Sequence, residues 1–200
     1  MTNSDQLCLL GTPPSSPVSP EGGVTGRAAA ALGWDGAVAD DMTLFGQRVA
    51  VVAKVDRHAH QQRVVSGWGP VTDRMSVALW EWPEHQAVMP PSAVALRGVV
   101  ARGTRWQRTL AAAGGFVGFC STAIVVEQNH QPNQHCLMTA HMYGVAVLRM
   151  KPNEGVPVVV QAGRNGPVDT ARPSLLSRWV EELVYAHLLD RGVITASTVE

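Results

Sequence analysis

Seventeen consecutive residues, Leu110 to Val126 (LAAAGGFVGFCSTAIVV), carry no charge. A run of that kind must be hidden from water, either inside a sheet covered on both faces or inside a bilayer. It falls just short of the usual length of a membrane-spanning helix. Arg102, Arg105 and Arg108 precede it like a cytoplasmic anchor, and Gly114 and Gly118 have the spacing that lets helices approach closely in lipid. Against a span stand three glycines, the β-branched residues of its second half and the polar sequence on either side. The run reads as a short helix followed by a buried strand, with a single-span, membrane-tethered accessory protein as an alternative.

The remaining composition agrees with a folded chain. Of 200 residues, 46% are hydrophobic and 16% charged, which excludes wholesale disorder and suffices for one ordinary core. Sixteen basic residues balance sixteen acidic ones, so no global positive field drives sequence-independent binding to nucleic acid. Few charges and no net charge also predict poor solubility for an isolated monomer unless a partner or a membrane covers part of the surface. Arginine outnumbers lysine fourteen to two, the mark of a GC-rich, bacterial coding genome. The amino terminus lacks a basic start and an apolar run, which predicts a cytoplasmic protein. Three cysteines, Cys8, Cys120 and Cys136, do not make a disulfide scaffold; the latter two read as buried thiols, with one bond between them as the alternative.

Residues 1–43 collect Pro13, Pro14, Pro17 and Pro20 among serines and glycines, with five acidic residues against Arg27. That predicts a disordered or loosely structured tail, with at most a short helix over Arg27–Leu32. Residues 44–200 are expected to form a single α+β domain. Strands are predicted at Arg48–Asp56, Met75–Trp82, Ala93–Val100, Phe116–Glu127, Cys136–Met150 and Val156–Gln161, each rich in β-branched or aromatic residues and bounded by turn residues. The short connections predict an antiparallel sheet of five or six strands. A helix is predicted from Pro173 to Asp190, with Leu175, Leu176, Trp179, Val180, Leu183, Val184, His187 and Leu188 on the core side and Arg178, Glu181, Glu182 and Tyr185 on the wet side. This amphipathic carboxy-terminal helix is expected to pack on one face of the sheet. A second, shorter helix covers Thr104–Ala113.

Four groups of residues could carry chemistry. Arg97, Arg102, Arg105 and Arg108 surround Trp106, and residues 47–110 hold nine basic against four acidic side chains. A helical stripe of arginines beside an indole would meet the phosphates and bases of a single strand, or an anionic lipid; the plainer reading is a solvated helix face. His130, His135, Cys136 and His141 offer nitrogen and sulfur ligands within twelve residues, though not at a known zinc spacing; loop histidines beside a hydrogen-bonded His141 are the plainer reading. Trp80 and Trp82 alternate about Glu81, which on a strand would place both on one face as a core pair or a binding surface.

The fourth group is His58-Ala59-His60, which on a strand would aim two imidazoles at one ion. The pattern, with Tyr185 further along, resembles the HUH nucleases of replication initiators and transposases. That resemblance implies His58 and His60 as metal ligands and Tyr185 as the nucleophile toward a DNA phosphate. It covers those three residues alone: the surrounding Arg57–Arg63 reads as a polar turn, no lysine neighbours Tyr185, and no third ligand is assigned. Phosphate-binding glycine loops, a GxSxG elbow, CxxC pairs and paired carboxylates are absent. The sequence therefore favours a non-catalytic protein-interaction module of a bacterial system, such as an adaptor, chaperone or assembly component, with no cofactor. A protein partner or self-association is expected, nucleic acid would bind only through Arg97–Arg108, and membrane association is not favoured. The enzymatic alternative is a metal-dependent single-strand nuclease or phosphodiesterase.

Overall fold

The computed structural model describes residues 23–127, 132–151, 154–172 and 174–195. The strands are β1 (Ala37–Leu44), β2 (Gln47–Val55), β3 (Val94–Gly103), β4 (Ser121–Val126), β5 (Ala146–Met150) and β6 (Pro157–Gln161). The helices are α1 (Val24–Ala31), α2 (Arg57–Val65), α3 (Arg74–Ala78), α4 (Pro83–Gln86), α5 (Trp106–Gly114), α6 (Gln134–Tyr143) and α7 (Leu175–Asp190), with a 3-10 turn at Leu79–Glu81. The fold is α+β, with one open six-stranded sheet in the order β1-β2-β3-β4-β5-β6.

The sheet is mixed, not antiparallel as the sequence suggested. β1, β2 and β3 pair antiparallel, β3–β4 and β4–β5 are parallel, and β6 returns antiparallel to β5. The reason is local. Parallel neighbours need crossovers, and α5 and α6 supply them. The expected strand Cys136–Met150 hides one of these helices: the Asn133 side chain accepts from the Cys136 N–H at 2.8 Å to start α6, and Gly144, at φ +68°, ends it before β5. The expected strand Met75–Trp82 is likewise helical. Asp73 accepts from the Ser76 N–H and hydroxyl, each at 2.7 Å, and Pro83 opens α4. Within the stretch expected to be a tail, residues 24–43 form α1 and most of β1; the proline-rich residues 13–20 lie outside the described residues.

Alternation along the strands divides the core. Val99, Ala101, Ile124, Val126, Val145 and Val147 share a buried cluster with Leu110 and Ala113 of α5, Cys136 and Ala140 of α6, and Val180, Val184 and Leu188 of α7. Val100, Ala123, Val125, Ala146 and Leu148 form a second cluster with Ala28 of α1. This two-sided burial accounts for the uncharged run. Leu110–Gly114 closes α5, and all six residues of β4 are buried. Among the described residues no helix is long and apolar enough to cross a membrane. Cys120 and Cys136 are buried free thiols, and burial pushes the Cys120 thiol up to about 12.

On the α1 side, the Trp34 ring lies flat enough on Gly98 of β3 that a Cβ there would collide with it. The glycine is thus required by packing, not by its backbone angles. Gly98→Ala is expected to cost about 1–3 kcal/mol in urea unfolding, and W34A in the same chain should relieve part of the strain while exposing the sheet.

Candidate functional site

The structure disperses most of the residues that the sequence put forward. His58 and His60 lie on α2, where residues two apart diverge, and not on a strand. His58 is exposed, whereas His60 Nδ1 meets the Tyr185 hydroxyl at 2.9 Å and its Nε2 meets the Thr195 carbonyl at 2.9 Å. His60 and Tyr185 are therefore neighbours, with both imidazole nitrogens occupied by hydrogen bonds. His135 and His141 sit on α6 with Cys136 turned into the core, and His130 lies outside the described residues. No group of three metal-ligating side chains occurs among the described residues. His135 instead stands edge-on to Trp106, ring centres 5.3 Å apart.

The arginine stripe does not form either. Arg97 is in β3 and pairs with Asp35 at 2.9 Å; Arg102, near the other end of β3, pairs with Glu127 at 3.0 Å. Arg105 is the residue before α5, and Arg108 is an exposed residue within it. Because β3 runs to Gly103, Arg102 belongs to the strand and the expected i, i+3, i+6 helix face is lost. Trp80 and Trp82 also separate: Trp80 turns inward beneath the Arg178 guanidinium, 5.4 Å from its ring centre, and Trp82 points out.

What the structure does assemble is a buried charge group that the sequence left on the wet side of α7. Arg63 of α2 is fully buried and donates from Nη1 and Nη2 to the two oxygens of Glu182, each at 2.8 Å. Arg178 donates to the same carboxylate at 2.8 Å, and the Val71 N–H donates at 2.9 Å. Other guanidinium donors reach backbone carbonyls, Arg63 to Trp68, Gly69 and Pro91 and Arg178 to Pro90, while the buried Arg178 Nε has no hydrogen-bond partner among the described residues. The Arg63 guanidinium also lies over the Tyr185 ring at 4.6 Å. Burial lowers the Arg178 guanidinium below its ordinary value, opposed by Glu182 and Glu181. Burial raises Glu181, opposed by the hydrogen bond from Ser92. Charges this deeply placed survive only when paired and hydrogen-bonded.

The consequence is geometric. Residues 66–91, which leave α2 and return to β3, are fastened to α7 at both ends. Trp179 adds a further tie by donating from its indole to the Thr72 carbonyl at 2.7 Å. So held, the segment turns apolar side chains outward: Met75 is 74% exposed, Val88 63%, Trp82 60% and Leu79 51%, with Trp68 and Met89 also exposed. Trp68, Leu79 and Val88, with Val71, Trp80 and Pro90, line an open cleft of about 470 Å³. Of these residues the sequence singled out only Trp80 and Trp82. The signal that could have found the rest was the density of Trp, Met, Leu, Val and Pro across 68–91. No known protein family, curated protein or solved structure matches this chain.

Removing one partner of the buried pair leaves the other charge stranded. Glu182→Ala is expected to cost about 3–5 kcal/mol in urea unfolding and to make residues 66–91 the first site of limited proteolysis. Replacing both partners, as in R63M/E182L, should recover much of that loss.

Proposed function

We propose that this chain is a non-catalytic protein-interaction module, an adaptor, chaperone or assembly component whose docking surface is the outward face of residues 66–91. The observation that carries this reading is the exposure of Trp68, Met75, Leu79, Trp82, Val88 and Met89 on one short segment with a rigid attachment. Six large apolar side chains so close in sequence incur a solvation cost that burial against a partner would recover at about 25 cal/mol per Å². The rigid attachment reduces the ordering entropy that docking would otherwise cost.

The chemistry of the surface supports one kind of partner. Its cleft is apolar, edged by Ser76 and His85, with Arg74, Glu81 and Glu84 close by in the chain. An apolar centre with a polar rim suits an aromatic or aliphatic anchor from a protein segment, in the manner of interface hot spots. Leu79 and Trp82 are the residues assigned the largest share of binding.

Selection of displayed peptides on the full-length chain tests this directly. The expected result is enrichment of peptides with a central aromatic or aliphatic anchor, abolished by Leu79→Asp and weakened at least tenfold by Trp82→Ala, with the melting temperature of each variant unchanged. Enrichment that survives Leu79→Asp, or no enrichment at all, contradicts the assignment.

A further inference from the structure

Residues 66–91 return to β3 through Pro90, Pro91 and Ser92, and a charged or ionisable side chain meets each of the three. Arg178 donates to the Pro90 carbonyl at 2.6 Å, Arg63 donates to the Pro91 carbonyl at 3.3 Å, and the Ser92 hydroxyl lies 2.8 Å from Oε2 of Glu181. Pro90 also lines the apolar cleft, so a shift of this return moves one of its walls.

Glu181 differs from its neighbours in the group. It is half-buried, and among the described residues it makes no ion pair, although Arg178 stands three residues before it on α7. Its side-chain partner is Ser92, and Ser92 Oγ lies equally close, at 2.8 Å, to the Val94 carbonyl. A hydroxyl has one hydrogen, which can point along only one of two such contacts. With Glu181 ionised, one of the two acceptors goes without it. With a proton on Oε2, both contacts are satisfied: Glu181 donates to Ser92 Oγ, and Ser92 donates to the Val94 carbonyl.

The surroundings favour the proton. Burial pushes the Glu181 carboxyl up; the Ser92 hydrogen bond and Arg178 oppose the rise, and Glu182 adds to it. From α2, Arg63 is bound to Glu182, and Asp56, whose N–H donates to the Ala93 carbonyl, gives its carboxylate to the Ala59 N–H at 3.0 Å. β1 meets α7 at His187, which contacts the Asp40 carbonyl, and Arg74 of α3 lines a cleft with Leu175, Leu176 and Trp179. From Pro90 to Val94 the return carries no titratable side chain. A carboxyl raised by folding adds stability that is complete below its ordinary value of 4.5 and is lost as pH rises through the raised value.

We propose that Glu181 and Ser92 form a proton-operated latch between α7 and the return into β3. Protonated, Glu181 donates to Ser92 and the return is closed onto α7. Ionised, it takes the Ser92 hydrogen bond away from the Val94 carbonyl and is drawn toward Arg178, whose buried Nε has no hydrogen-bond partner among the described residues, so the return loosens. The released proton goes to solvent, and the Ser92 hydroxyl only rotates. The latch regulates the docking surface through Pro90, a consequence that rests on the function proposed above.

Carbon-detected NMR of the full-length chain, titrated from about pH 4 to about pH 8, tests the latch without any partner. The Glu181 carboxyl carbon is expected to titrate with a midpoint above 4.5, and the Val94 carbonyl carbon to move with the same midpoint. Glu181→Gln, whose amide donates to Ser92 at every pH, should hold the Val94 signal at its acid position. Its melting temperature should match that of the parent in acid and exceed it by about 2–4 °C at neutral pH. In Ser92→Ala, Glu181 should still titrate while the Val94 transition disappears. A Val94 signal that stays still through the Glu181 midpoint, or a midpoint at or below 4.5, overturns the latch. A peptide selected on the docking surface should bind the parent about threefold or more weakly above the midpoint than below it, with that change absent from Glu181→Gln; equal affinity across the midpoint overturns the regulation. A chain that enriches no peptide yet shows the coupled Val94 transition contradicts the docking reading and supports the latch.

Discussion

One carboxylate inside the protein, Glu182, determines where the apolar segment of residues 66–91 is displayed. Glu182 receives two guanidinium groups and a backbone N–H, and the same guanidiniums reach the carbonyls of Trp68, Gly69, Pro90 and Pro91. None of these groups can be given up singly, because each is part of the solvation of a charge that has no water. The group therefore acts as a clamp with fixed geometry. It tells the 66–91 segment where to sit on α7, which apolar contacts alone do less sharply because they tolerate sliding.

The clamp and the sheet divide the work. The sheet satisfies the middle of the chain by burying β3, β4 and β5 from both sides, with α5 and α6 as crossovers. Those crossovers force the strands parallel, and parallel strands bring their carboxyl ends to one edge, where α1 also begins. The proposed docking surface and the direction of the strands thus arise from separate features, the charge clamp on α7 and the helical crossovers.

The legible parts of the sequence were those whose partners lie nearby or whose period is long. The strand predicted over Arg48–Asp56 corresponds to β2, that over Ala93–Val100 to the first part of β3, and that over Val156–Gln161 to β6; the 3.6-residue period located α7. Misreadings arose where local chemistry competed with composition. Asp73 and Asn133 are helix caps, and each converts an apparent strand into a helix. On α7 the pattern was right about the apolar stripe and wrong about its opposite face. Glu182 and Tyr185 look solvent-facing because their partners, Arg63 and His60, lie more than a hundred residues away. The same distance concealed how residues 66–91 are held. Nothing near Leu79 announces that α7 holds its segment in place.

Native-state amide hydrogen exchange at Trp68 and Val71 tests the clamp most directly. The Trp68 N–H donates to the Arg63 carbonyl at 2.8 Å and the Val71 N–H to Glu182. If the segment is held as described, both amides exchange only when α7 itself unfolds, with the same protection as Val184 and Leu188. Exchange at the rate of an open loop while α7 stays protected would mean that the segment moves independently, and the account of a rigid docking surface would be wrong.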